Sequence, residues 1–319
     1  MYADAPYPDA TTLDTIAIAA CEFLAQAGRI VMERYGSVLL VDYKDKAKAD
    51  PVTEIDRAVE AFLTAAVSQR FPGHAVLGEE GQDPAEDTEF LWIVDPVDGT
   101  INYINQLPFF AISIGVLHWR RPVVSALLLP VSGELFHARR GGGAFCNGQP
   151  VRVHPAQTPS GRIAVALPPG FWFQFRARRA VRRHLGEARS LGSIVYELAL
   201  TTSGGFGYAL FRSPKIWDVA GGVTLLREAG GEVLRYSKRR GVWQPLDRFD
   251  VPPSPNAAKP RTLRHWSSPV LAGAAPLITA LAPAITPRYT PVALRAAQRR
   301  YQGWRRQQNT PALPAKPPA

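Results

Sequence analysis

Trp92-Ile93-Val94-Asp95-Pro96-Val97-Asp98-Gly99-Thr100 is the stretch whose reading decides the fold. Phe90 to Val94 is a short apolar run rich in aromatic and β-branched side chains, the composition of a buried strand. It stops at Asp95-Pro96, where a tight DPVDGT turn would throw both carboxylates to one side with the Val97 carbonyl between them. Hard oxygen ligands of this kind suit Mg²⁺, which is held by a few carboxylates together with water and substrate phosphate. Gly99 allows the backbone to approach closely. If a helical turn starts there, its free N–H groups can hold phosphate oxygens.

Working outward, helical periodicity predicts two helices upstream and strands downstream. Leu13, Ile16, Ala20, Phe23, Leu24, Ala27 and Val31 recur at helical spacing over 13–35. A second helix begins near Thr53, with Asp56 three residues on as a capping-box pair, and stops at Phe71-Pro72-Gly73. Ala111 to Trp119, Val123 to Leu129 and Glu134 to Ala138 read as antiparallel strands joined by Arg120-Arg121-Pro122 and Ser132-Gly133. Helices are expected at 180–186, 193–202 and 219–229, with a last strand and helix within 262–281. Mixed order of this kind indicates a layered α/β or α+β fold.

Three further acidic clusters stand beside the first: Asp50-Pro51-Val52-Thr53-Glu54-Ile55-Asp56, Gly78-Glu79-Glu80-Gly81 and Trp217-Asp218-Val219-Ala220-Gly221-Gly222. Singly, each has a bland structural explanation. Thr53 and Asp56 make a cap, Glu79-Glu80 a solvated loop, and Asp218 the opening of a helix, a favourable place for a carboxylate. The order of all four is far more specific.

That order resembles the inositol monophosphatase family, from about residue 13 to 281, and includes Leu107-Pro108-Phe109-Phe110-Ala111, Gly143-Ala144-Phe145-Cys146-Asn147-Gly148 and Glu228-Ala229-Gly230-Gly231. The resemblance implies a layered α/β/α/β/α sandwich, a homodimer, and two or three Mg²⁺ ions. Glu79, Asp95 and the Val97 carbonyl would bind the first ion, and Asp95, Asp98 and Asp218 the second. Asp50 and Thr100 match the pair that orients and deprotonates the attacking water, with Glu79 supporting a third ion. Gly99, Thr100, Ser193, Ile194 and Phe211 are the substrate-facing positions. The implied reaction is in-line hydrolysis of a small phosphomonoester by activated water, with no covalent intermediate. Phe211 departs from the pattern. It stands where inositol-cleaving members carry a glutamate, and a ring cannot accept hydrogen bonds from sugar hydroxyls. Ile101-Asn102-Tyr103 after DGT is closer to the inositol and fructose-bisphosphate branches than to those acting on 3′-phosphoadenosine 5′-phosphate or histidinol phosphate. A polyol or sugar phosphate is therefore expected, and those other phosphates are the alternatives.

Composition bounds the partners. The net charge of +10 comes from the end of the chain. All 27 acidic residues and 27 of the 37 basic ones lie in 1–250, which is formally neutral. The division expected is an N-terminal lobe over 1–150, a C-terminal lobe over 151–286, and a basic Pro/Arg-rich tail over 287–319, partly disordered. The tail is either a solvated extension or a contact for nucleic acid or an acidic partner. A fold-retaining, non-catalytic binding protein is the competing function. Cys21 and Cys146, with no CxxC, make neither a disulfide framework nor a zinc site. A cytoplasmic location is expected. The N-terminus has no signal-peptide pattern, and Thr15 to Met32 is too polar to insert in a membrane.

Overall fold

The computed structural model describes residues 5–37, 41–43, 51–81, 83, 88–251 and 262–289. Asp50 and the basic tail from residue 290 onward lie outside them. Helix α1 (Ala10–Arg34) starts on an Asp9 cap whose carboxylate accepts the Thr12 N–H. A short ribbon, β1 (Val41–Tyr43) with β2 (Pro51–Thr53), leads into α2 (Glu54–Arg70). The predicted Thr53/Asp56 capping box is present there.

The first sheet runs in the order β3 (Ala75–Gly78), β4 (Phe90–Asp98), β5 (Ala111–His118), β6 (Arg121–Leu129), β7 (Glu134–Arg139), β8 (Gly143–Cys146), β9 (Gln149–Pro150). Only the β3–β4 pair is parallel. Helix α3 (Thr100–Ile104) follows β4 directly. Beyond β9 come β10 (Ala164–Ala166), α4 (Phe171–Gln174), β11 (Phe175–Ala177), β12 (Glu187–Arg189), α5 (Ile194–Thr202), β13 (Tyr208–Phe211), α6 (Ile216–Glu228), β14 (Gly231–Ser237), β15 (Val242–Pro245), β16 (Val270–Ala274), α7 (Ala275–Leu281) and β17 (Ile285–Pro287). The second sheet has the order β12-β10-β13-β16-β14-β15, and β11 pairs with β17.

These elements stack as the expected α/β/α/β/α sandwich. Strand alternation sorts β4: Phe90, Trp92 and Val94 pack under α1 and α2, whereas Leu91 and Ile93 face the core around α6. Helices α5 and α6 fill the space between the sheets, and α7 covers the far face of the second. On composition alone α1 is apolar enough to cross a bilayer, but Leu13, Ile16, Phe23, Leu24 and Val31 pack into the core under the first sheet.

Three local expectations are corrected. Strand β4 does not stop at Asp95 but continues through Asp98, with a register shift between those two residues. Helix α6 begins at Ile216, so Asp218 is its third residue rather than its opening one. Residues 180–186 form turns instead of a basic helix. Beside the cations Arg182 and Arg183 this short stretch has only Val181 and Leu185 to bury, and so few residues do not hold a helix by themselves.

Candidate metal centre

Asp95 is the centre of the site. It continues the Leu91–Ile93 face of β4, so alternation aims it at α6. Its partner across the ladder is Ser113, whose hydroxyl donates to the Trp217 carbonyl at 3.3 Å. One strand position thus fixes Asp95 and the first turn of α6, where Asp218 stands. Close packing is what the Ala220-Gly221-Gly222 triplet provides. A Cβ on Gly115 would lie 2.6 Å from the Ala220 carbonyl oxygen, and one on Gly221 would lie 2.7 Å from Leu127 Cδ2. The parallel register Gly78↔Val94 carries Glu79 to the flank of Asp95. The register shift after Asp95 returns Val97 to the α1/α2 core and turns Asp98 toward α5. There Asp98 Oδ2 accepts the Ser193 hydroxyl at 2.6 Å and the Val195 N–H at 2.5 Å.

The electrostatics follow from packing acids together. Asp95 is 1% exposed, and its Oδ1 has no hydrogen-bond partner. Burial, then the charges of Glu79, Asp98, Asp218 and Asp56, push its carboxyl well above the usual range. Asp98 is pushed up to about 6 by burial, against the opposing pull of the Ser193 and Val195 bonds. Burial and then the Asp98 charge raise Asp218, whose Oδ2 accepts the Lys215 N–H at 2.8 Å. Among the described residues, no three acidic, His or Cys side chains close into a finished cage. Asp98 and Asp218 each commit one oxygen to a donor of the chain and keep the other. A buried carboxylate oxygen without a donor, facing four other acids, fits a divalent cation, which removes the desolvation and the repulsion together.

Thr100 and Gly99 form the opposite wall. Gly99 caps α3 with φ +95°, and a Cβ there would press on the Phe109 carbonyl and on Ser193. The Thr100 hydroxyl lies 3.1 Å from the Val97 carbonyl and 3.4 Å from Asp56 Oδ1. Asp56 is buried and also accepts the Thr53 N–H at 2.8 Å. Among the described residues, the carboxylate that reaches Thr100 is therefore Asp56. Ser193 caps α5, with Ile194 as its first residue. Phe211 ends β13 inside the core around α6, so its ring does not stand in an open subsite.

Sequence reasoning missed four residues that hold this frame. Asp56 passes for a cap alone. Glu60 sits beside Val59 on α2, is buried, and accepts the Glu80 N–H at 2.7 Å. Cβ atoms on Gly78 or Gly81 would each come within 2.5 Å of its Oε1. Arg264 holds the same loop from the second sheet's side, donating to the Glu79 and Gly81 carbonyls at 2.9 and 2.6 Å and to Asp83 at 2.7 Å. Asn102 ties α3 to the α5 loop through the Phe109 and Leu191 carbonyls, at 2.6 and 2.7 Å. Glu60 alone carried a legible signal, an acid on an apolar helical stripe.

Known proteins resemble this chain in sequence and fold. The model of the inositol monophosphatase family matches residues 12–271. A fructose-1,6-bisphosphatase/inositol-1-monophosphatase of Aquifex aeolicus is 30% identical over 225 residues, 67% of this chain and 83% of its own. The Nus factor SuhB of Escherichia coli is 33% identical over 223 residues, 66% of this chain and 82% of its own. Among solved structures, an IMPase of Thermotoga maritima aligns with a TM-score of 0.65 at 25% identity, covering 83% of this chain and 94% of its own.

Proposed function

Because this chain belongs to the inositol monophosphatase family, whose members are generally Mg²⁺-dependent phosphatases, we propose that it hydrolyses a small phosphomonoester. The observation that carries the proposal is the unpartnered, buried Asp95 oxygen facing Glu79, Asp98 and Asp218. Glu79, Asp95, the Val97 carbonyl, Asp98 and Asp218 are the residues that would hold Mg²⁺, in two or three positions. Bound there, Mg²⁺ supplies neutralisation of the phosphate dianion and acidification of the attacking water.

The chain's own groups do the rest. Asp56 takes part in orienting the attacking water beside Asp50, to which the sequence assigns that role and which lies outside the described residues. Its Oδ1 can accept the Thr100 proton, which leaves a Thr100 lone pair to accept from the incoming water. Gly99 and Thr100 offer backbone N–H groups at the open start of α3 to phosphate oxygens. Ser193 fixes Asp98 and the start of α5 at once. Phe211 offers no carboxylate to sugar hydroxyls, so a polyol or sugar phosphate would be held by contacts other than a glutamate at that position. Phosphate release should be measured with and without Mg²⁺ from myo-inositol 1-phosphate, fructose 1,6-bisphosphate, histidinol phosphate and 3′-phosphoadenosine 5′-phosphate. Mg²⁺-dependent release from the first two, above the others, supports the proposal. No release from any of them by a folded, Mg²⁺-binding protein would move the assignment to a non-catalytic binding protein.

A further inference from the structure

A second site of opposite charge lies on the C-terminal side. A cleft of about 920 Å³ is lined by Arg235, Lys238, Arg239, Arg240, His265 and Trp266, with none of the metal-centre carboxylates in its wall. Arg239 and Arg240 occupy the turn of the β14–β15 hairpin, which is pinned by the Gly241 N–H on the Ser237 carbonyl at 2.8 Å. Arg235 projects from β14 itself, and its Nε–H is buried with no hydrogen-bond partner. Among the described residues no carboxylate pairs with Arg235, Arg239 or Arg240. Among the described residues, the one carboxylate of the wall, Asp250, is already engaged by Arg248 Nε at 2.9 Å. The chain has no Asp or Glu after Asp250.

A half-buried guanidinium with an unmet donor is expensive unless an anion meets it. Guanidinium forks match phosphate oxygens in pairs. Four lining cations against one engaged carboxylate complement a ligand with two to four negative charges. We propose that this cleft binds a small molecule carrying a diphosphate group, with Arg235 at its floor and Arg239 and Arg240 closing over it from the hairpin turn.

The test is calorimetric titration of pyrophosphate into the full chain in EDTA. Without divalent cations the acidic centre repels anions, so the heat reports the cleft, and the outcome is independent of whether the phosphatase assignment holds. The basic tail is present in every sample. Wild type is expected to bind, and Arg239→Ala with Arg240→Ala, both on an exposed turn, to bind about tenfold more weakly. Arg235→Gln should weaken binding by a similar factor. A control removing the same charge at exposed Arg178 and Arg179 should stay within about twofold of wild type. Absence of pyrophosphate binding, or equal losses in the control and the turn variant, would overturn the proposal.

Discussion

Replacing Gly115 with Ala tests the packing that brings Asp218 to Asp95. The new Cβ would lie 2.6 Å from both the Ala220 carbonyl oxygen and the Gly221 nitrogen, backbone atoms that no rotamer change can move. The Ala220 carbonyl carbon lies nearer still, at 2.4 Å, and ordinary contact begins near 3.4 Å, so α6 must retreat from β5 by about 1 Å. Overpacking of this kind costs about 1–3 kcal/mol. For a chain of this size that lowers the melting temperature by about 2–5 °C. The effect on chemistry should be larger than the effect on stability. Asp218 rides on the first turn of the displaced helix, and a misplacement near 1 Å costs about a hundredfold in rate. Thermal unfolding and Mg²⁺-dependent phosphate release, measured on the same preparation, separate the two. Gly73→Ala is the control, since a Cβ there meets nothing within 4 Å. If Gly115→Ala melted and turned over like Gly73→Ala, the account of why α6 carries Gly at its crossing with β5 would be refuted.

Other consequences are equally open to measurement. Asp98 titrates near 6, and Asp95 and Asp218 are also raised, so the folded chain holds more protons than the unfolded one from about pH 4 upward. Metal-free protein should therefore lose stability as pH rises through about 4 to 6. The melting-temperature gain from Mg²⁺ should grow over the same window, because the ion replaces those protons; a gain independent of pH would contradict this. Glu60→Gln removes the charge that holds the Glu80 N–H and should raise the Mg²⁺ concentration needed for half-maximal activity by about 10–100-fold. An unchanged Mg²⁺ requirement would reduce Glu60 to a packing residue. Asp56→Asn should lower kcat by about 10²–10⁴-fold with little change in KM, seen in steady-state kinetics. Near-normal kcat would take the water-orienting role away from Asp56.

The sequence carried the acidic clusters and the layer order because both are local: an apolar strand ending in acids, and helices written in 3.6-residue periods. It misplaced the limits of β4 and α6 because the acids belong to those elements. Asp95 and Asp98 remain on the ladder with β5, and Asp218 lies inside the first turn of α6, positions that only tertiary pairing reveals. Asp56 was hidden for a related reason. Its capping role is complete within four residues, whereas its approach to Thr100 spans 44 positions of chain. Arg264 reaches back across some 180 residues to Glu79 and Gly81, and no periodicity or spacing announces such a contact. Phe211 was legible as a departure, but only its burial in the core around α6 explains how a ring is tolerated there.

The central claim is that Asp95 holds the cation on which hydrolysis depends. The direct measurement compares wild type with Asp95→Asn, following Mg²⁺-dependent phosphate release and the Mg²⁺-induced rise in melting temperature together. Losing a buried acid among like charges should leave the metal-free melting temperature unchanged or higher. Phosphate release should fall by at least about 10³-fold, because the ion contributes several kcal/mol to the transition state. The Mg²⁺-induced stabilisation should vanish with it. A folded Asp95→Asn protein that still released phosphate at the wild-type rate would contradict the claim.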